Sequence, residues 1–103
     1  MPAKANKDDV ETYRKKLRDM MPVLKEEYSI SYIGLFGSFV RKENTPKSDL
    51  DLLVEFSKTL TISKFVHLEN HLSDSLGVKV DLVMKDALKP NIGKYILKEV
   101  EAI

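Results

Sequence analysis

Residues 31–56 read SYIGLFGSFVRKENTPKSDLDLLVEF, and the fold can be built outward from this stretch. Ser31–Phe36 is a short run of aromatic and β-branched residues, which is typical of a strand, and it ends at Gly37, where the backbone can turn sharply. A helical turn over Phe39–Lys42 and a polar loop containing a proline follow. The stretch closes with a second predicted strand, Asp49–Phe56. It therefore predicts two strands joined by a turn and a loop.

The second of these strands carries acidic residues at regular positions. Alternate side chains of a strand point to opposite faces of the sheet, so the sequence predicts one apolar face and one face with carboxylates. The apolar face is formed by Leu50, Leu52, Val54 and Phe56, and the other face by Asp49, Asp51, Leu53 and Glu55. Carboxylates thus occupy positions that a wholly buried strand would give to apolar residues.

An amphipathic helix is predicted before the first strand. Asp8 and Asp9 suit its N-terminus, because acidic side chains stabilise the positive end of a helix. Because Pro22 removes an amide donor and clashes with the preceding turn, we expect this helix to break near Met21. Its buried stripe is predicted to consist of Val10, Tyr13, Leu17, Met20, Leu24 and Tyr28.

Two further helices and a third strand are predicted after residue 56. The second long helix ends at Gly77, which suits a left-handed C-terminal cap, and its apolar stripe comprises Ile62, Phe65, Val66, Leu72 and Leu76. Val78–Met84 alternates like a strand. Asp86 can cap a last helix, limited by Pro90, which we expect to run to the C-terminus. The apolar stripes are most simply core, although part of either could face a partner or a second copy.

The composition favours a single compact domain over residues 1–103, with residues 1–7 flexible. Seventeen Lys and Arg against sixteen Asp and Glu leave a formal charge of +1, so neither sign dominates the choice of partners. The absence of cysteine excludes a disulfide framework, a thiolate zinc site and a cysteine nucleophile. No apolar run is long enough to span a bilayer and the opening residues lack a signal-peptide core, so we expect a cytoplasmic protein without membrane contact.

The candidate chemistry lies in Gly37-Ser38, followed after ten residues by Asp49-Leu50-Asp51, with a further aspartate, Asp81, on the next strand. Residues i and i+2 of a strand lie about 6.6 Å apart on one face, so two carboxylates there can converge on divalent ions. Hard oxygen ligands favour Mg²⁺ or Mn²⁺, and Mg²⁺ completes its shell with water and substrate phosphates. The pattern therefore predicts metal ligation by Asp49, Asp51 and Asp81, and a substrate that carries phosphates.

The turn after the first strand is a candidate phosphate site. Gly37 and Ser38 leave backbone amides and a hydroxyl available to an anion. Arg41 could add a guanidinium to the same phosphates, but it could equally pair with Glu43 or Asp49.

At these residues the chain resembles the minimal nucleotidyltransferases of the DNA polymerase β-like superfamily, whose signature is Gly-Ser, ten residues and Asp-x-Asp. The resemblance extends to the segment Val80–Val83 and to Leu88-Lys-Pro90 with the helix after it. It departs from the family at Lys42, where a glycine often follows the arginine. The resemblance implies an α+β nucleotidyltransferase fold similar to the polymerase β palm, with a small mixed sheet of three or more strands backed by helices.

The resemblance also implies an activity. Asp49 and Asp51 would hold two Mg²⁺ ions, Asp81 would help to activate an incoming hydroxyl, and Gly37 and Ser38 would hold the leaving phosphates of a nucleoside triphosphate. Stand-alone members of this length resemble antitoxins that move AMP from ATP onto a tyrosine of a helical HEPN toxin, with which they form hetero-oligomers. We weigh against this a non-catalytic antitoxin that only binds its toxin, transfer to a small molecule such as an aminoglycoside, and a disfavoured glycosyltransferase.

Other charged residues have simpler explanations. Asp81 could be an edge-strand charge paired with Lys79. His67 and His71 lie one helical turn apart but lack the His-Glu-x-x-His pattern of a metalloprotease, so a solvated or interface face is favoured. The basic run Arg14-Lys15-Lys16 with Arg18 brackets a buried stripe and has no aromatic stacking platform, so we do not expect direct nucleic-acid binding.

Overall fold

The protein is built around one four-stranded mixed sheet, with strand order β3-β2-β1-β4. The structure is a computed structural model that describes residues 5–103. The helices are α1 (Ala5–Tyr28), α2 (Ser38–Arg41), α3 (Ile62–Leu76) and α4 (Pro90–Glu99). The strands are β1 (Ile30–Phe36), β2 (Leu50–Phe56), β3 (Val80–Met84) and β4 (Glu101–Ala102), and a single 3₁₀ turn spans Lys85–Ala87.

The strands pair in both directions. β1 runs antiparallel to both β2 and β4, while β2 and β3 are parallel, with α3 as the crossover between them. The prediction of a small mixed sheet backed by helices is confirmed. The three long predicted strands are present, each one or two residues shorter or longer at its start.

The sheet has one thoroughly apolar face. Side chains of β1, β2 and β3 on this face pack against the buried stripes of α1 and α3, with Ile33, Leu35, Leu52 and Val54 at the centre. The predicted alternation of β2 is confirmed, because Leu50, Leu52 and Val54 belong to this core. The opposite face carries Asp51 and Leu53, and it is the face on which the candidate site lies.

Helix α1 is continuous through Pro22, so the predicted break near Met21 is wrong. Pro22 is exposed, which leaves the carbonyl that loses its helical partner open to solvent. Leu17 and Leu24, on either side of the proline, are fully buried in the same core. Packing on both sides therefore holds a helix that local sequence preferences would interrupt.

The start of α1 also differs from the prediction. The helix begins at Ala5 rather than at Asp8, so residues 5–7 of the segment predicted to be flexible are helical. Residues 1–4 of that segment lie outside the described residues.

Helix α3 agrees with the prediction. It spans Ile62–Leu76 and ends at a left-handed cap on Gly77, with φ +72°.

The predicted last helix does not run to the C-terminus. Helix α4 ends at Glu99, Val100 is extended, and β4 then pairs with Gly34 and Leu35 of β1. Asp86 lies in the 3₁₀ turn rather than at a helix cap, and Lys89 precedes Pro90 at the start of α4. The strand that the sequence analysis missed has only two residues. It forms because the edge of β1 has free backbone groups with which it can pair.

Two arginines of α1 hold the C-terminal segment in place. Arg14, which is only 9% exposed, donates to the Ala102 carbonyl at 2.9 Å and to the Glu101 carboxylate at 2.8 Å. Arg18 donates to the Ile103 carbonyl at 2.5 Å. Two residues of the basic segment, Arg14 and Arg18, therefore bind the C-terminal segment of the same chain.

No helix among residues 5–103 combines the length with the apolar character that a membrane span requires.

We expect Arg14→Met to lower the free energy of unfolding by about 2 kcal/mol, because methionine keeps the apolar stem but removes charged hydrogen bonds to β4. Lys15→Met is the matched control, since Lys15 is an exposed neighbour on the same helix. Urea denaturation measures both. Equal losses in the two variants would show that the contacts of Arg14 with β4 contribute little.

Candidate active site

The turn between β1 and α2 presses against the carboxylate of Asp51. Gly37 adopts φ +83° and ψ −156°, a conformation that residues with a side chain rarely adopt. A Cβ atom at Gly37 would overlap the Asp51 Oδ2 atom. Glycine is therefore required here both by its backbone conformation and by the close approach of a carboxylate.

The parallel pairing of β2 with β3 brings two of the predicted aspartates together. Asp51 and Asp81 are direct register partners on neighbouring strands, so their side chains leave the same face of the sheet. Asp49 lies just before β2, and its carboxylate is 4.0 Å from the Lys79 ammonium. Asp81 lies on edge strand β3, as its alternative explanation required, but Lys79 approaches Asp49 instead.

The carboxylates influence one another electrostatically. Burial and, after it, the nearby charges of Asp81 and Asp49 together raise the pKa of Asp51 to about 6, although the Arg41 guanidinium opposes them. The raised pKa means that the surroundings of Asp51 disfavour the ionised form of its carboxyl group. A cation bound among these oxygens would remove the conflict.

The donor chemistry of this corner fits a divalent cation such as Mg²⁺. The donor atoms are carboxylate oxygens. Gly37 has no side chain that would separate the backbone of the turn from the Asp51 carboxylate. Within residues 5–103, however, no group of three or more acidic, histidine or cysteine side chains is arranged to hold a metal ion by itself. Mg²⁺ usually takes one or two carboxylates and completes its shell with water and substrate phosphates, so a donor set of this size would suffice for such an ion.

Arg41 is paired with carboxylates on two sides. Its Nε donates to Glu43 at 3.0 Å, and its Nη1 donates to Glu99 at 2.8 Å. Of the two partners predicted as alternatives to phosphate, Glu43 is therefore present and Asp49 is not. The hydrogen bonds that Arg41 donates to Glu99 and Glu43 raise its pKa, so this side chain stays charged.

Glu99 is a site residue that the sequence did not single out. Its Oε2 accepts the backbone N–H of Gly37 at 2.6 Å, and its Oε1 accepts from Arg41. Glu99 ends α4, 62 residues after Gly37. A signal was present, since Glu99 follows Ile92 and Ile96 at helical spacing in the last predicted helix, where an apolar residue would continue the stripe.

The remaining turn residues have the expected placement. Ser38 opens α2 and is partly exposed, and its hydroxyl has no protein partner among residues 5–103. Lys42, where the family often has glycine, adopts the left-handed conformation with φ +62° and caps α2. The departure from the family pattern thus leaves the turn formed, at the cost of a strained lysine.

The histidine pair lies away from this corner, on the helical side of the sheet. His67 shares a hydrogen bond of 2.6 Å with the Tyr28 hydroxyl, and the rings of both His67 and His71 stack on Tyr28. They form a packing cluster between α1 and α3.

Residues 18–103 match the family described as "Polymerase beta, Nucleotidyltransferase". The chain is 47% identical over 77 residues to the protein adenylyltransferase MntA of Thermococcus cleftensis, covering 75% of this chain and 78% of that relative.

Two solved structures have the same fold. One, provisionally named a minimal nucleotidyltransferase, is 32% identical, with a TM-score of 0.79 over 92% of this chain and 96% of that one. The other is a toxin–antitoxin structure with AMP-PNP, 25% identical, with a TM-score of 0.65 over 94% of this chain and 71% of that one.

We expect Gly37→Ala to lower the free energy of unfolding by at least about 2 kcal/mol, because the new methyl group adds a clash with Asp51 to the backbone strain. Gly77→Ala is the matched control. Gly77 has a similar φ of +72°, but its Cβ would meet no atom within 4 Å, so a loss of about 1 kcal/mol is expected. Equal losses, measured by chemical denaturation, would assign the whole effect to backbone conformation.

We expect Asp51→Asn to stabilise the fold at neutral pH. Because the folded-state pKa of Asp51 lies above its ordinary value of 3.8, the ionised carboxylate lowers stability as pH rises from about 4 to about 6. The variant should gain about 1 kcal/mol near pH 7.5, a value reduced for partial exposure, and the gain should vanish near pH 4.

Urea denaturation at both pH values measures this gain, with Asp19→Asn as the control, since Asp19 is exposed in the middle of α1. A gain that is the same at the two pH values would contradict the electrostatic explanation.

Proposed function

Because this chain belongs to the polymerase β nucleotidyltransferase family, we propose that it transfers AMP from ATP to a hydroxyl group of a partner protein. The choice of AMP and of a protein acceptor is supported by the name of the relative from Thermococcus cleftensis, a protein adenylyltransferase. The nucleotide is further supported by the AMP-PNP in the toxin–antitoxin structure.

The single observation that carries this proposal is the corner where Gly37 meets Asp51, which lies in register with Asp81 on the next strand. The turn that we propose to bind phosphate contacts the carboxylate of Asp51, and the charges of Asp81 and Asp49 repel that carboxylate in the absence of a cation. A nucleoside triphosphate with Mg²⁺ supplies both things that the corner needs, an anion for the turn and a cation for the carboxylates.

In the proposed reaction the oxygen of an acceptor hydroxyl attacks the α-phosphorus of ATP, the bond to the β-phosphate oxygen breaks, and pyrophosphate leaves. The Gly37 amide, the Ser38 hydroxyl and the Arg41 guanidinium hold the leaving phosphates. Asp81 accepts the proton of the attacking hydroxyl. Asp81 is exposed, so an acceptor on another chain can reach it.

Asp49 and Asp51 are the proposed ligands of Mg²⁺, with Asp81 as a further carboxylate. When bound, Mg²⁺ would neutralise phosphate charge and favour the ionised form of an attacking hydroxyl. Burial and repulsion raise the pKa of Asp51, and a bound cation would replace the repulsion by attraction at the reacting end of the nucleotide.

The proposed partner is a helical toxin of the HEPN family, with this chain acting as its antitoxin. The sequence resembles antitoxins of this type, and one of the similar structures is a toxin–antitoxin assembly. Residues 5–103 form one sheet with its helices and show no second lobe over the corner, so we expect a partner to supply one wall of the acceptor pocket. Exposed apolar side chains are available for contact, among them Ile62, which is 84% exposed, and Tyr95, which is 75% exposed.

The test is transfer of label from α-³²P-ATP to the purified product of the neighbouring gene, in the presence of Mg²⁺. We expect the double variant Asp49→Asn, Asp51→Asn to lose label transfer by at least about 100-fold, because it removes the proposed ligands of the cation. Asp74→Asn is the matched control, since Asp74 is an exposed aspartate on α3. Equal labelling by the double variant would contradict the proposal.

The same double variant distinguishes a non-catalytic antitoxin. If it still binds the partner and neutralises it in cells without labelling it, contact alone is sufficient and transfer is not the means of neutralisation. Label on a small molecule rather than on the partner would assign the acceptor to the other class considered.

A further inference from the structure

A carboxylate already binds the groups that are proposed to hold phosphate. One oxygen of Glu99 accepts the Gly37 amide at 2.6 Å, and the other accepts the Arg41 guanidinium at 2.8 Å. The Glu99 side chain is 22% exposed, so the pair of contacts is partly screened from water. A carboxylate and a phosphate present the same kind of oxygen to amide and guanidinium donors.

We propose that Glu99 is an internal competitor of the nucleotide, whose carboxylate must leave Gly37 and Arg41 before they can bind phosphate. The inference rests on the proposed function only in assigning these two groups to phosphate binding. It makes Glu99 a residue that sets nucleotide affinity, and it adds a side-chain rearrangement to nucleotide binding.

The donors cannot serve Glu99 and a phosphate fully at the same time. Gly37 has a single backbone N–H, and it is already engaged at a short distance. Arg41 is bound by Glu99 through Nη1 and by Glu43 through Nε, so two edges of its guanidinium are occupied. A phosphate oxygen brought to the Gly37 amide would lie next to the Glu99 carboxylate, and two anions in that position repel.

Glu99 is charged under ordinary conditions. Burial acts to raise the pKa of Glu99, but the hydrogen bonds from Arg41 and from the Gly37 amide outweigh burial, so the pKa lies below its usual value. The competitor is therefore an anion at neutral pH.

The rest of the C-terminal segment is held in place, so the side chain of Glu99 is the part that can move. β4 is paired with β1 at Gly34 and Leu35, and Arg14 donates hydrogen bonds to it from α1. Glu99 lies two residues before β4, at the end of α4. Rotation of its side chain releases both donors without disturbing the sheet.

The experiment measures binding of two probes by isothermal titration calorimetry with Mg²⁺ in excess. Inorganic tripolyphosphate tests the phosphate contacts alone, and AMP-PNP tests the whole nucleotide. Glu99→Gln removes the charge but keeps an oxygen that can accept the Gly37 amide, whereas Glu99→Ala removes both. Thermal melts verify that each variant is folded.

We expect both variants to bind both probes at least about threefold more tightly than the parent protein, and the difference to shrink at high salt. Glu43→Gln is the matched control, because Glu43 binds Arg41 but has no contact with the Gly37 amide. Its effect on affinity should be smaller than that of Glu99→Gln.

Several results would overturn the inference. Glu99→Gln binding like the parent while Glu99→Ala binds more weakly would show that Glu99 positions the turn instead of competing with phosphate. Weaker binding by both variants, or no change in either, would also overturn it.

The calorimetry measures binding only, so its result does not depend on catalysis. Tighter binding by the Glu99 variants, combined with no label transfer by the parent protein in the test of the proposed function, would overturn that function and support the competitor. Label transfer without tighter binding would overturn the competitor alone.

Discussion

The crowding of carboxylates beside Gly37 is the constraint on which the rest of the site depends. The parallel register of β2 and β3 sets Asp51 directly beside Asp81, and the turn after β1 closes over the Asp51 carboxylate. Such an arrangement opposes folding, because it raises the pKa of Asp51 above its ordinary value. It persists because the apolar face of the same sheet is packed against α1 and α3. The stability of one face thus supports the unfavourable electrostatics of the other.

The C-terminal segment connects fold and site. β4 adds an edge strand to β1 and accepts a hydrogen bond from Arg14 of α1, while Glu99, just before β4, reaches the turn at Gly37. A segment that completes the sheet therefore also delivers a charged group to the candidate phosphate site. As a competitor of the nucleotide, Glu99 sets the nucleotide affinity of the site through its contact with Gly37. The two residues meet only when the C-terminal segment pairs with β1.

Much of the fold followed from local pattern. The alternation in β2 has period two, the stripe of α3 has the helical period, and Gly77 supplies the left-handed cap. Each of these features depends only on residues close together in the sequence, so it can be predicted from them. The failures at Pro22 and at the end of α4 share one cause. A proline on an exposed face is tolerated when the core holds both halves of a helix, and a two-residue strand forms only because β1 offers it an edge.

The candidate site divides in the same way. The sequence by itself determined the residue types, since glycine-serine, paired aspartates and a third aspartate are chemistry that spacing and strand period can reveal. Only the tertiary structure decided which groups meet: that Asp51 faces Asp81, that Lys79 approaches Asp49, and that Glu99 reaches Gly37. The physical reason is range, because periodicity reports the few neighbours along the chain, whereas strand register and packing between distant segments set the contacts between side chains.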